Sequence, residues 1–269
     1  MPELPTLHEA TIDAIVGHAG GATLPFQEAQ RDVGHATFFW FNELVQSAPD
    51  GDVVRQFLVT AGESTRIELA EVNIRPSLCD PAPSAGKLLM TDFAEGWTHL
   101  GDSGGLGVAV MPAAVLHAYA DRKGWRWNTD EITDGIAARD EDIARIGAEP
   151  VVAYVLGHDV NPDDGARNQA AVVGEVARAG DGTIRWGGRL PQGCVGAPVF
   201  MSVPLDGNSF KLVCVGVALP ADERDLGHHP VATFDAIRRA LDALDSETPA
   251  PTAVTLTPPR KRRWWQRRS

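Results

Sequence analysis

Residues 191–200 read PQGCVGAPVF: Gly193, two residues, Gly196, the small Ala197, Pro198 and then an apolar run. Glycines this close together, ahead of a proline and a β-branched and aromatic run, describe a sharp loop feeding a buried strand. Such a loop can present a reactive side chain at its tip. The residue between Cys194 and Gly196 is Val195, which has no nucleophilic atom.

Working outward, short runs rich in Val, Ile, Phe and Trp alternate with turn residues on both sides of this loop. They predict strands over 36–41, 53–60, 65–73, 87–91 and 107–112, then over 150–156, 170–177, 183–186, 197–203 and 210–218. Turn signals separate them: PDGD at 49–52, PDDG at 162–165, GDG at 180–182 and LDGN at 205–208. Helical pattern is confined to 6–18, with Thr6 as cap and Leu7, Ile12, Ile15 and Val16 on one side, to 113–123, to 140–145, and to 231–244. The last carries Phe234, Ile237, Leu241 and Leu244 at helical spacing. No sequence repeat is visible. The fold class expected is all-β, a barrel or sandwich with short terminal helices.

The chain has 269 residues, 43% hydrophobic and 22% charged, enough for one large domain or two fused lobes. Its net charge of −12 is unevenly placed, because the last ten residues hold six cations and no acid. The body before them has 18 basic residues against 36 acidic, a net of −18. An acidic body argues against a DNA-binding surface on the domain. Cys79, Cys194 and Cys214 have neither a paired framework nor metal-ligand spacing, so no metal and no cofactor is implied. The N-terminus lacks a signal peptide's basic flank and no apolar run approaches ~20 residues, so a cytoplasmic location is the expectation.

Three stretches together resemble the trypsin-like (chymotrypsin-fold) serine peptidases, in the form found in bacterial intracellular domains. The first is GHATFFWF at 34–41 followed by RQFLVTAGES at 55–64; the second is WTHLGDSGGLGVAVMP at 97–112; the third is the PQGCVGAPVF loop. The resemblance implies two six-stranded-type β-barrels, with lobes over roughly 20–125 and 145–246, in a domain spanning 1–246. It also places Glu63 where the catalytic histidine belongs, Gly107 at the aspartate and Val195 at the serine. A serine peptidase needs an attacking hydroxyl, an imidazole to take its proton and a carboxylate to hold that imidazole. None of the three is supplied. What the resemblance leaves is backbone, a vestigial oxyanion hole from the N–H groups of Gly193 and Val195.

Two rival nucleophiles stand beside this reading. A verbatim GDSGG at 101–105 offers Ser103, but it precedes most of the predicted strands and is followed by Leu106 in place of proline. Cys194 lies one residue from the nucleophile position, and a slipped loop would present its thiol. The histidines do not decide between them: His35 begins a strand, His99 is close in sequence to Gly107, and His228–His229 falls in a polar loop before the last helix. Trp125 and Trp127 alternate and face one side of a strand, in the core or as a binding surface.

After 246 the composition changes. Residues 247–259 are Pro/Thr-rich and read as a disordered linker. The tail combines Arg260, Lys261, Arg262, Arg263, Arg267 and Arg268 with Trp264 and Trp265. Such a segment suits an anionic membrane surface, RNA, or the acidic body of the chain itself. The sequence therefore points first to a catalytically inactive domain acting as a binding or regulatory module for a protein partner. An active hydrolase using Ser103 or Cys194, and an adaptor tethered by its tail, are the alternatives.

Overall fold

The computed structural model describes residues 6–31, 34–47, 49, 51–84, 86–101, 105–161, 163–206, 209–222, 225–247 and 254–256. Strands β1 (Thr23–Glu28), β2 (Ala36–Gln46), β3 (Asp52–Ala61), β4 (Ala70–Asn73), β5 (Cys79–Asp80), β6 (Lys87–Met90), β7 (Thr98–His99) and β8 (Val108–Pro112) make the first half, followed by β9 (Arg126–Trp127) and β10 (Ile132–Thr133). The second half contains β11 (Val151–Val160), β12 (Arg167–Arg178), β13 (Ile184–Gly187), β14 (Pro198–Pro204), β15 (Phe210–Ala218) and β16 (His228–Thr233). Helices α1 (Leu7–Ala19), α2 (Ala114–Lys123), α3 (Asp140–Ala144) and α4 (Phe234–Glu247) lie outside the sheets, and β17 (Val254–Leu256) ends the described chain.

The second lobe is a closed barrel in the order β11-β12-β13-β16-β15-β14. The first runs β6-β4-β1-β2-β3-β8-β7 and remains open between β6 and β8. Taking each lobe's six principal strands in turn, both wind first, second, third, sixth, then back through fifth and fourth. The double barrel expected from the sequence is the architecture found. Its internal repetition lies in topology and leaves no trace in residue identity.

The run ATFFWF shows how sequence sets this arrangement. Phe38 and Trp40 point into the first lobe with Phe26, Leu58 and Met111. Phe39 and Phe41, on the opposite face of β2, join the cluster that fills the second barrel and the junction between lobes. Both rings meet Phe234 at the start of α4, at centroid distances of 6.3 and 4.9 Å. A strand buried on both faces is uniformly apolar, and this one holds the lobes together.

Several expectations need correction. The strand predicted over 65–73 is four residues long, because Gly62–Thr65 forms a three-ten turn. His228–His229 belong to β16. Within the stretch expected to be a disordered linker, Val254–Leu256 pairs antiparallel with Asp52–Val54 of β3. Helix α1 begins at Thr6 as predicted, with a capping box to Glu9, but turns Thr11, Ile15 and Ala19 inward and leaves Leu7 and Val16 half exposed. Trp125 and Trp127 pack edge to face at 4.8 Å, with Trp127 Nε1 donating to the Leu116 carbonyl at 3.0 Å. Core packing is their role.

Candidate functional site

The loop at 191–200 sits at the junction of the lobes. Gln192–Cys194 forms a three-ten turn closed by the Cys194 N–H on the Pro191 carbonyl at 2.9 Å. At Arg66, Cys79 and Trp97, the residue closing a comparable turn donates its N–H back into that turn; Val195 does not. Gly196 follows at φ 81°, and a Cβ there would collide with Thr60 Oγ1 and the Thr37 carbonyl. Only glycine fits this turn, both for its left-handed backbone and for its approach to β2 and β3.

Two strands of the first lobe grip the loop. The Thr37 N–H donates to the Val195 carbonyl at 2.9 Å, and the Thr37 hydroxyl donates to the Gly193 carbonyl at 2.7 Å. Thr60 Oγ1 donates to the Thr37 carbonyl at 2.7 Å. From Thr60 the chain passes through Ala61 to Gly62, whose N–H donates to the Gly107 carbonyl at 2.8 Å. The stretches carrying Val195, Glu63 and Gly107 thus abut in one neighbourhood. Glu63 is exposed and Val195 half-buried. Gly107 has φ 74°, and a Cβ there would lie 2.9 Å from Leu219 Cδ1 on the second lobe.

One imidazole is close by. The His99 ring packs over Gly62, with Nδ1 only 2.9 Å from where a Gly62 Cβ would stand and Nε2 3.4 Å from Thr65 Oγ1. Thr65 Oγ1 donates to the Gly62 carbonyl at 2.8 Å, so it accepts from His99. This histidine holds a turn.

Cys194 is fully buried against Gly157, and burial pushes its thiol up to about 12, with Asp159 adding to the effect. A neutral thiol packed on backbone is neither ionised nor presented to a substrate. Ser103, the other named nucleophile, lies outside the described residues, as does the 260–269 tail. Cys79 and Cys214 are also buried, and burial raises both thiols, Cys79 to about 11.

Sequence reasoning missed His158. It is buried on β11, its Nδ1 lies 3.1 Å from Thr37 Oγ1, and its backbone carbonyl lies against the α-carbon of Gly193. Burial depresses its pKa to about 3, with Arg75 and Arg167 pushing the same way. His229 is a satisfied core histidine: Nδ1 donates to the Leu219 carbonyl at 3.0 Å and Nε2 accepts from the Leu190 N–H at 3.4 Å. Among the described residues no group of three His, Cys, Asp or Glu side chains is placed to hold a metal, and no helix is long and apolar enough to cross a membrane.

Neither a protein-family model nor a curated protein matches the chain. Solved structures do. A serine endoprotease from Yersinia pestis aligns with a TM-score of 0.49 at 12% identity, over 91% of this chain and 69% of its own. An inactive mutant form of Rv3671c from M. tuberculosis aligns at 0.47 and 14% identity, over 93% of this chain and 98% of its own. Deg5 aligns at 0.49 and 12% identity, over 90% and 97%. The two-lobed fold rests on the strand order itself, a closed six-stranded barrel beside an open sheet. Within it, the positions that the resemblance assigns to the catalytic histidine, aspartate and serine hold Glu63, Gly107 and Val195.

Proposed function

We propose that this chain is a catalytically silent trypsin-like domain that works as a binding or regulatory module. The observation that carries the reading is Val195. It stands at the tip of a loop whose backbone is fastened by Thr37 and shaped by Gly196, yet its side chain is a branched alkyl group. Glu63 supplies an acceptor with no hydroxyl to activate, and Gly107 supplies nothing. With all three groups replaced, the covalent route is lost. The N–H groups of Gly193 and Val195 remain as donors that could receive the carbonyl of a bound segment, an unreactive use of the same backbone. A protein partner is the expected ligand.

The test is a fluorophosphonate probe together with a thiol-directed electrophile, applied to the full folded chain. No covalent adduct is expected. Stoichiometric labelling of Ser103 or Cys194 would overturn the proposal in favour of an active hydrolase.

A further inference from the structure

Away from the lobe junction, strand β3 of the first lobe has one edge that its neighbours in the barrel cover only in part. On one side β2 pairs with it from Val59 back to Val53. On the other, β8 reaches only from Ala61 to Phe57, which faces Pro112. The chain then turns away: the Ala113 N–H donates to the Gln56 carbonyl at 2.9 Å, and α2 begins at Ala114. On that side the backbone of Asp52–Val54 is left to β17, which lies antiparallel to it. Val254 stands opposite Val54, Thr255 opposite Val53 and Leu256 opposite Asp52. Among the described residues no other strand meets this edge.

The occupant has the chemistry of a strand ligand. Residues 252–257 read TAVTLT, in which Thr252, Val254, Thr255 and Thr257 are β-branched and favour an extended backbone. Pro251 precedes the run and Pro258 follows it, and a proline cannot donate to a ladder. The prolines confine pairing to this run, and the strand formed is three residues long. A contact that small is marginal by itself. Only residues 248–253 separate β17 from Glu247 at the end of α4. So short a tether keeps the run at an effective concentration in the millimolar range. Tethering, more than intrinsic affinity, accounts for its place on β3.

An element held by so few contacts opens locally, and an open strand edge accepts an extended chain through its main-chain donors and acceptors. We propose that the Asp52–Val54 edge is a strand-addition site for an extended, β-branched segment of a protein partner, with β17 as the resident competitor that the partner displaces. The run at 252–257 is the template for that partner: a short stretch free to donate, bounded by prolines, in a surrounding sequence poor in large apolar residues. The site is independent of the Gly193–Val195 loop, so its failure would leave the catalytic reading untouched.

The probe is a fluorescent peptide of residues 251–258, PTAVTLTP, added to the full chain and to its Val254→Pro, Thr255→Pro double variant. The two prolines strip the resident strand of ladder donors and leave β3 untouched. The variant should bind the peptide, and the unaltered chain should bind it about 10-fold more weakly, because a tethered competitor must first leave. A peptide carrying the same two prolines should bind neither. With the peptide bound, amide exchange in the variant should slow over residues 52–55 and stay unchanged over 191–200. The proposal is overturned by no binding to the variant, by equal binding to both chains, or by protection over 191–200 in place of 52–55. A dimer of the unaltered chain that the two prolines dissolve would also overturn it, by giving the edge to a second copy.

Discussion

The Thr37 hydroxyl lies 3.1 Å from His158 Nδ1 and 2.7 Å from the Gly193 carbonyl, joining the two lobes through one buried oxygen. A hydroxyl has a single proton to give. Donated to Gly193, it leaves Thr37 Oγ1 as the acceptor for Nδ1–H of His158, and so fixes the imidazole tautomer. His158 Nε2 is then an unprotonated acceptor, and it is buried without a hydrogen-bond partner. One threonine hydroxyl thus ties the loop to the buried imidazole, beside the backbone bonds that the loop makes to Pro191, Ala218 and the Thr37 N–H.

Replacing that threonine tests the dependence. Thr37→Val keeps the shape and removes the hydroxyl, stranding the Nδ1–H of His158 and one bond to the Gly193 carbonyl. Each buried group left unsatisfied costs about 1–3 kcal/mol, so a loss of about 2–4 kcal/mol is expected in urea unfolding. Thr37→Ser keeps the hydroxyl and should lose about 1 kcal/mol, the worth of a buried methyl group. Equal losses in the two variants would show that the hydroxyl contributes nothing.

His158 also sets an acid limit. Its folded pKa of about 3 lies below the ordinary histidine value. As pH falls below ~6.5 the unfolded chain takes up this proton first, and stability falls by up to about 1.4 kcal/mol per pH unit. The fall continues until pH nears the folded value, after which both states are protonated. His158→Asn removes the titration, and its unfolding free energy should be flatter than that of the parent chain between pH 6 and 4. Parallel curves in that window would contradict the assignment.

How much of this the residues reveal varies with the element. ATFFWF declares a doubly buried strand because every side chain in it is apolar or, at Thr37, β-branched, and the PQGCVGAPVF loop is legible because Gly196 admits no other residue. Strands β1 and β16 are illegible for a shared reason. Each carries a proline, Pro25 or Pro230, and a proline demotes a run to an edge or a non-strand. Here both prolines sit just beyond one of their strand's two ladders: β1 meets β4 only from Phe26, and β16 meets β15 only from Val231. The missing N–H therefore costs no ladder bond on that side. His158 is invisible for a different reason. Its burial depends on Thr37, Gly193, Arg75 and Arg167, which meet only when the lobes close.

Restoring the missing groups should not restore chemistry. Gly107 has φ 74° and faces Leu219 Cδ1 at 2.9 Å, so an aspartate there meets an unfavourable backbone and an occupied space. Non-glycine residues in this region cost roughly 1–2 kcal/mol. The triple variant Glu63→His, Gly107→Asp, Val195→Ser is expected to be less stable than the Glu63→His, Val195→Ser double variant by about that amount, and to remain unlabelled by fluorophosphonate. Labelling of the introduced serine in the triple variant would show that Leu219 yields and that the site lacks only its side chains.

The cysteines give the remaining prediction. All three are buried and free, and burial raises every thiol, Cys79 to about 11 and Cys194 to about 12. The thiolate is the reactive species, so at pH 8 the native chain should be essentially inert to iodoacetamide, while the urea-unfolded chain should take up three equivalents. The same shifts make the fold alkali-sensitive. Above the ordinary thiol value of ~8.5 the unfolded chain releases these protons and the native chain retains them, so stability declines as pH rises from about 8.5 toward 11. Cys194→Ala abolishes one titration and should shallow that decline. Rapid single-site alkylation of native Cys194 at pH 8 would mean that the loop opens to present the thiol, and would put the alternative of a cysteine hydrolase ahead of the silent-domain reading.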